Sequence, residues 1–153
     1  MEEKLAKIKN VINDFFKKTG IVNFEIKTIE VAVNGSIDVS LSIQDASLYI
    51  GEGGKNIGAF EIALRLLVQK QLEEMCFLRL DINNYRSLKD ESLRELAKKA
   101  ARLARFYKQP VTLEAMSAYN RRIIHTELAA HPDIKTESVG EGVQRRVVVK
   151  YVD

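Results

Sequence analysis

The sequence predicts an α+β protein built from two small modules, and three observations lead to that class. Stretches with apolar residues at helical spacing are interspersed with stretches in which every second residue is apolar, so helices and strands follow one another. The 153 residues suffice for one medium domain or two small ones. Residues 1–83 carry 10 Lys and Arg against 12 Asp and Glu, whereas residues 84–153 carry 14 against 9, so the two halves also differ in charge.

The composition argues against several classes of protein. Cys76 is the single cysteine, so the chain forms neither an intramolecular disulfide nor a four-cysteine zinc site, and we expect a packed thiol in a reducing compartment. The amino terminus, Met1-Glu2-Glu3-Lys4, lacks the basic segment and apolar run of a signal peptide. No apolar run is long enough to cross a bilayer. We therefore expect a cytoplasmic protein without membrane insertion.

The first half predicts the order α, β, β, α, α, β. Residues 4–16 place apolar side chains at helical spacing, and Gly20 marks the end of this opening helix. Alternating apolar residues then predict two strands, with a bulge near Lys27 and Thr28 in the first. Asn34-Gly35 between them suits a type I′ turn, in which both residues have positive φ. A short helix, a glycine-rich run, a longer helix and a strand over 77–82 complete this half.

The second half predicts the order α, β, α, β, β. Ser87 to Asp90 resembles a capping box, so a helix should begin there and continue to about Tyr107. A short strand over 111–113, a helix capped by Ser117 and a hairpin over 134–152 should follow. The buried stripe of the first helix is predicted to be Leu93, Leu96, Ala97, Ala100, Ala101, Ala104 and Tyr107.

Another side of that helix carries a line of basic residues, and we call it the basic stripe. It consists of Arg94, Lys98, Arg102 and Arg105. A solvated helix face is the simpler interpretation, and a secondary contact with nucleic acid is the functional one.

The glycine-rich run at residues 51–54, here called the glycine loop, is the first candidate site. Without Cβ atoms, such a turn between helices allows close approach of a phosphodiester backbone, although a plain helix–helix turn has the same pattern. A nucleotide-binding P-loop would need glycine at Tyr49 and Ser or Thr at Asn56, and a dinucleotide fingerprint would need its third glycine at Asn56. Neither pattern is met.

Arg121 and His125 form the second candidate site. Their i, i+4 spacing places both on one helix face, one turn apart, although a solvated helix edge would give the same spacing. Arginine makes planar, multi-donor contacts to phosphate and histidine adds a ring, so single-stranded nucleic acid is the expected ligand. Arg122 points further outward, and the final hairpin adds Arg145 and Arg146.

Glu127 falls within the apolar arc of the same helix and therefore needs a partner. We expect a salt bridge to Arg145, Arg146 or another nearby basic residue. A freely solvated carboxylate would contradict this packing.

Four stretches carry a resemblance to known modules. The first half resembles a type II-like KH module at Leu48-Tyr49-Ile50-Gly51-Glu52-Gly53-Gly54-Lys55-Asn56-Ile57 and at Leu80-Asp81-Ile82-Asn83-Asn84-Tyr85-Arg86. The second half resembles an R-three-H (Arg-xxx-His) module at Asn120-Arg121-Arg122-Ile123-Ile124-His125-Thr126 and at Ser138-Val139-Gly140-Glu141-Gly142-Val143-Gln144-Arg145-Arg146-Val147-Val148-Val149. Together they resemble the bacterial Jag family, also called KhpB, over nearly the whole chain.

The resemblance implies a domain organisation. We expect an amino-terminal helix at 1–20, a KH-like domain at 21–84 with ββααβ order, and an R-three-H domain at 85–153 with helices on a small three-stranded sheet. From the resemblance we expect a chain without the family's separate amino-terminal domain and linker. Glu52 departs from a family whose loop commonly carries a basic residue, and Asn120 stands where the family usually has Glu.

The resemblance also implies a function in RNA-level regulation, without catalytic residue, metal or cofactor. The implied ligands are single-stranded RNA and also single-stranded DNA, and the implied protein partner is a second copy or another KH protein. The nucleic-acid-binding residues are expected to be Gly51, Glu52, Gly53, Gly54, Lys55, Asn56, Arg121, Arg122, His125, Arg145 and Arg146.

Two other functions are considered. In an adaptor, the KH half, weakened by Glu52, would serve dimerisation, and only the R-three-H half would contact nucleic acid. In an enzyme, His125 and Glu127 would act as an acid–base pair. Residues two apart on a helix diverge by about 160°, so these side chains do not converge on one bond, and we expect no enzyme.

Overall fold

The computed structural model describes residues 2–153. The chain divides into two units, Met1–Tyr85 and Arg86–Asp153. The elements of the first unit are α1 (Glu2–Lys18), β1 (Phe24–Val31), β2 (Ile37–Ile43), α2 (Ser47–Ile50), α3 (Lys55–Leu72) and β3 (Leu78–Ile82). The elements that follow are α4 (Tyr85–Tyr107), β4 (Val111–Ala115), α5 (Ala118–Leu128), β5 (Ile134–Val139) and β6 (Arg146–Tyr151). The predicted α+β class and both predicted element orders are confirmed.

The first unit packs helices on a three-stranded sheet of order β1-β2-β3. Strands β1 and β2 are antiparallel, with the predicted bulge between Ile26 and Thr28, while β2 and β3 are parallel. A parallel pair requires a crossover, which α2 and α3 provide. Helix α1 buries Ile8, Ile12 and Phe16 in the same core. The predicted opening helix is therefore part of the body of this unit.

The hairpin between β1 and β2 differs from the predicted type I′ turn. Gly35 has φ 79°, but Asn34 is absent from the positive-φ residues of the described chain. Backbone hydrogen bonds join Ala32 to both Gly35 and Ser36, and the Asn34 side chain accepts from the Ser36 N–H at 3.1 Å. The loop thus has three residues and only its last one is left-handed, a common longer hairpin connection.

The second unit has a sheet of order β4-β6-β5 in which both pairs are antiparallel. Helices α4 and α5 share one core with this sheet, and the side chains that α4 buries there are all alanines. Its buried members are Ala97, Ala100, Ala101, Ala104, Leu113, Ile124, Leu128, Ile134, Val147 and Val149. No helix among residues 2–153 combines the length and apolar character needed to cross a bilayer.

Two predictions about α4 are wrong. The helix begins at Tyr85 and not at a capping box on Ser87, because Asn83 and Asn84, with φ of 54° and 56°, turn the chain immediately after β3. Leu96 and Tyr107 are not buried, with 38% and 62% of their surfaces exposed. The four buried alanines occupy the face of α4 that packs into the core, and Leu96 lies at the margin of that face.

Candidate nucleic-acid interface

Helix α5 positions the two residues of the Arg-xxx-His motif. Ser117 caps the helix as predicted, with φ −60° and ψ 159°, and its side chain accepts a hydrogen bond from the Asn120 N–H at 3.3 Å. The Asn120 side-chain oxygen is buried and has no hydrogen-bond partner within residues 2–153. Arg121 and His125 follow one turn apart on the side of α5 that meets β5.

Arg121 and His125 converge on strand β5 in a hydrogen-bonded group that we call the Arg–His cluster. Arg121 Nη1 donates to Ser138 Oγ at 3.0 Å, and His125 Nε2 lies 2.8 Å from the same oxygen. His125 Nδ1 lies 2.7 Å from Thr136 Oγ1. The four side chains are half-buried. The structure therefore brings together two residues identified from the sequence and two hydroxyl residues that sequence reasoning missed.

The alternation of β5 explains the position of the two hydroxyl groups. Ile134, Thr136 and Ser138 share one face of the strand, and only Ile134 is buried. Thr136 pairs with Val149 and Ser138 with Val147, so both hydroxyls lie on the core face of the sheet, beneath α5. The sequence does contain a signal for these two hydroxyls: the core-facing positions of β5 change from apolar at Ile134 to hydroxyl residues at Thr136 and Ser138.

The ring of His125 has a pKa below its ordinary value of 6.5. Partial burial is the larger cause of this lowered pKa, and the positive charge of Arg121 is the smaller one. At neutral pH the ring is thus uncharged, with one nitrogen as donor and the other as acceptor. Arg121 carries the positive charge of the cluster.

The turn between β5 and β6, which ends at Arg145, adjoins the cluster through the backbone of Met116. The Met116 N–H donates to the Arg145 carbonyl at 3.0 Å, and the Met116 carbonyl accepts from Arg121 Nε at 3.4 Å. Arg146 bonds the backbone and side chain of Gln144 at 3.2 and 3.1 Å. The side chain of Arg145 is exposed and forms no ion pair within residues 2–153. Arg121 and the hairpin arginines therefore belong to one region of the second unit.

Arg122 lies on the outward side of α5. Its side chain is exposed and has no ion-pair partner in the described part of the chain. A fixed positive charge next to the cluster is therefore available to an external anion.

Glu127 forms the salt bridges that its position requires. Its carboxylate lies 3.7 Å from Lys98 Nζ and 3.8 Å from Arg94 Nε, and its side chain is 24% exposed. The predicted ion pairing with a nearby basic residue is confirmed, but Arg145 and Arg146 are not the partners. The partners come from α4 because α4 and α5 share the core and lie side by side.

These contacts give most of the basic stripe a structural role. Besides Arg94 and Lys98, Arg105 forms two hydrogen bonds with the Asp133 carboxylate, at 2.5 and 2.9 Å. The hydrogen bond from Arg105 is the main cause that lowers the pKa of Asp133 to about 2. Arg102 remains exposed and without an ion-pair partner in residues 2–153. Contact of the stripe with nucleic acid stays a prediction.

The conformation of the glycine loop requires glycine at its first and last positions, Gly51 and Gly54. Gly51 has φ 73° and ψ 171°, a region open essentially to glycine alone, and a Cβ there would lie 2.7 Å from Asn56 Cγ. Gly54 has φ 85°, and a Cβ there would lie 2.8 Å from the Tyr85 ring. Gly53 has φ 63° and no atom within 4 Å of an added Cβ. Asn56 supports the loop by donating to the Leu48 carbonyl at 2.7 Å.

The charges of the glycine loop are not paired with each other. Glu52 and Lys55 are both exposed, and neither forms an ion pair within the described residues. A free carboxylate therefore stands on the loop. The surface that a phosphate would approach carries both signs of charge.

Among the described residues, metal ligands are not clustered and the single thiol is buried. Within residues 2–153, no group of three or more His, Cys, Asp or Glu side chains is arranged to hold a metal ion. Cys76 is a buried free thiol, as predicted, and burial raises its pKa.

Comparison of the sequence with known proteins places the chain in a family. The family model described as the R-three-H domain matches residues 91–151, which include all four members of the Arg–His cluster. A protein of Clostridium symbiosum named "RNA-binding protein KhpB" is 29% identical over 149 residues, which cover 97% of this chain and 65% of that protein. The Bacillus subtilis (strain 168) protein of the same name is 31% identical over 139 residues, covering 82% of this chain and 67% of that protein. The chain belongs to the KhpB family.

The KhpB relatives are longer than the chain described here. A third relative of that name, from Lactiplantibacillus plantarum, is 28% identical over 129 residues, which cover 78% of this chain and 40% of the relative. The chain thus spans 65%, 67% and 40% of the lengths of the three KhpB proteins. The glycine loop lies outside the segment that the R-three-H model matches.

Proposed function

We propose that this chain binds single-stranded RNA, without catalysing a reaction, and that the Arg–His cluster is its main contact. The convergence of Arg121 and His125 on Ser138 carries the proposal, because the bonds to Ser138 and Met116 leave further guanidinium N–H groups for a ligand. The three relatives are named RNA-binding proteins. The residues from 84 onward also hold the excess of basic side chains.

The surface around the cluster supports a single-stranded ligand. Arg122 and Arg145 supply exposed positive charges for the backbone phosphates, while the guanidinium of Arg121 and the ring of His125 are planar groups on which a base stacks. A ligand that exposes both phosphates and unstacked bases uses both kinds of group. Single-stranded DNA shares these features and belongs to the same proposal.

The first unit is proposed to be a KH-type domain with a secondary role in binding. Its ββααβ order and the two geometrically required glycines of its loop support that assignment. We propose an amino-terminal helix at 1–20 that packs in the core of a KH-type domain at 21–84, followed by an R-three-H domain at 85–153; the boundary between the two compact units follows Tyr85. We further propose that the protein acts in the cytoplasm, in RNA-level regulation, and dimerises with a second copy or another KH protein.

Fluorescence anisotropy with labelled single-stranded RNA tests the main proposal. Arg121→Ala should weaken binding by about tenfold. The slope of log Kd against log salt concentration should also decrease by about 0.7, because one phosphate contact is lost. Lys99→Ala is the control, since Lys99 is an exposed cation of the same unit, unpaired among the described residues and outside both the Arg–His cluster and the basic stripe. Equal effects of the two variants, or a parent that binds no RNA at low salt, would contradict the proposal.

An adaptor function of the first unit is the second candidate, and the free carboxylate of Glu52 favours it. The charge reversal Glu52→Lys tests it, because Glu52 is exposed and no contact has to break. If the loop contacts RNA, this variant should bind RNA several-fold more tightly than the parent.

Glu30→Lys is the control for Glu52→Lys, because Glu30 is an exposed glutamate of β1 in the same unit. A general electrostatic effect would make the two variants equal. An unchanged affinity of Glu52→Lys would establish that the loop does not touch the RNA and would favour the adaptor.

A further inference from the structure

Arg121 fixes the direction of one hydrogen bond in the Arg–His cluster, and this bears on how the other groups donate and accept. Arginine only donates, so Ser138 Oγ must be the acceptor of the bond from Arg121 Nη1. The Ser138 hydroxyl then retains its own proton, and His125 Nε2, at 2.8 Å, is an acceptor in reach. When Ser138 donates this proton to Nε2, Nε2 itself carries none.

The other ring nitrogen completes the chain of bonds. A neutral imidazole with a bare Nε2 is protonated at Nδ1, which donates to Thr136 Oγ1 at 2.7 Å. In the opposite tautomer, Ser138 would accept from both Arg121 and His125, and no bond within residues 2–153 would use its own proton. The first arrangement likewise leaves one hydroxyl proton, that of Thr136, without an acceptor in the described residues. It differs in its order, because Arg121, Ser138, His125 and Thr136 then donate in succession, and a chain of successive donors strengthens each bond.

We propose that Ser138, together with Thr136, is a positioning residue of the RNA site: the two hydroxyls fix His125 as the Nδ1-protonated tautomer and hold the Arg121 guanidinium beside it. This inference rests on the proposed RNA binding. Ser138 acts through Arg121 and His125, because both bonds of its side-chain oxygen are directed at those two side chains. Loss of the hydroxyl removes one bond from each side chain at once and leaves Arg121 bonded to Met116 and His125 to Thr136.

Nitrogen NMR of the imidazole rings in the full chain tests the tautomer directly. The chain has two histidines, so His131→Gln leaves the signals of His125 alone and assigns them. We expect the parent to show a protonated Nδ1 and a bare Nε2 at neutral pH. Ser138→Ala should shift the population toward protonation at Nε2, because the donor to that nitrogen is gone, and Ser138→Thr should restore the parent pattern.

RNA binding by the same variants tests the positioning role. Ser138→Ala should weaken binding by about three- to tenfold, and Ser138→Thr should recover most of the affinity. Ser92→Ala is the matched control, because Ser92 is an exposed serine of α4 without a hydrogen-bond partner in the described residues. Its affinity should equal that of the parent.

The outcomes separate the two proposals. If Arg121→Ala weakens binding while Ser138→Ala does not, RNA binding stands and the positioning role is overturned. A parent with Nε2 protonated would overturn the tautomer assignment whatever its affinity. If the parent binds no RNA but shows the expected tautomer, the cluster geometry stands, and both the proposed function and the role of Ser138 in it are overturned.

Discussion

His125 shows how neighbouring residues fix the properties of a single side chain. Its spacing from Arg121 is visible in the sequence, but its protonation state is set by partial burial, by the charge of Arg121 on α5 and by the two hydroxyls of β5. The cluster therefore presents a neutral ring beside a cation at neutral pH. That combination suits contact with a base next to a phosphate.

The lowered pKa of His125 predicts a pH dependence of stability. The folded pKa lies below the ordinary 6.5, so the unfolded chain binds the proton first as the pH falls. The contribution of this residue is fully present above about pH 6.5, the ordinary histidine value. It is lost as the pH falls through the folded pKa.

Urea unfolding of the full chain between about pH 7 and 5, followed through NMR signals of the second unit, measures this effect. The free energy of unfolding of the parent should fall with pH more than that of His125→Gln, because other titrating groups contribute equally to both. Parallel pH profiles of the two proteins would show that His125 is not responsible.

The glycine loop illustrates an element whose residues serve the fold and the site together. The sequence shows the four residues, but it does not show that Gly54 lies against Tyr85, a residue 31 positions later that begins α4. That contact arises only when β3 returns parallel to β2 and places the start of α4 beside the loop. A change at Gly54 therefore alters stability as well as any ligand contact.

A pair of loop variants tests this difference. Both Gly53 and Gly54 have positive φ, so alanine costs about 1 kcal/mol of conformational strain at either position. Gly54→Ala should cost roughly 1–3 kcal/mol more, because its Cβ meets the Tyr85 ring. Chemical denaturation of the first unit measures both values, and equal costs would show that the ring moves aside freely.

Helix α4 shows what the sequence could and could not predict at the scale of an element. The alanine stripe is predicted correctly, because Ala97, Ala100, Ala101 and Ala104 recur at helical spacing. The start of the helix is missed, because Asn83 and Asn84 adopt left-handed conformations that only the end of β3 requires. Pattern reasoning finds the face of a helix more readily than its boundary.

Basic and acidic residues are distributed unevenly along the chain, and the sequence alone predicts this because a sum of charges needs no coordinates. The partners of individual charges were not readable. Glu127 was expected to need a basic partner, but the choice of Arg94 and Lys98 depends on α4 lying beside α5. Thr136 and Ser138 were overlooked for the same reason, since their contacts join segments more than ten residues apart.

The buried thiol of Cys76 has a practical consequence for experiments on the whole chain. It is the single cysteine, it lies in the core of the first unit, and burial raises its pKa, so alkylating reagents react slowly with it in the native state. Its rate of labelling therefore reports transient opening of the first unit alone. An RNA that slows the labelling would thereby reveal that ligand binding reduces the transient opening of this core.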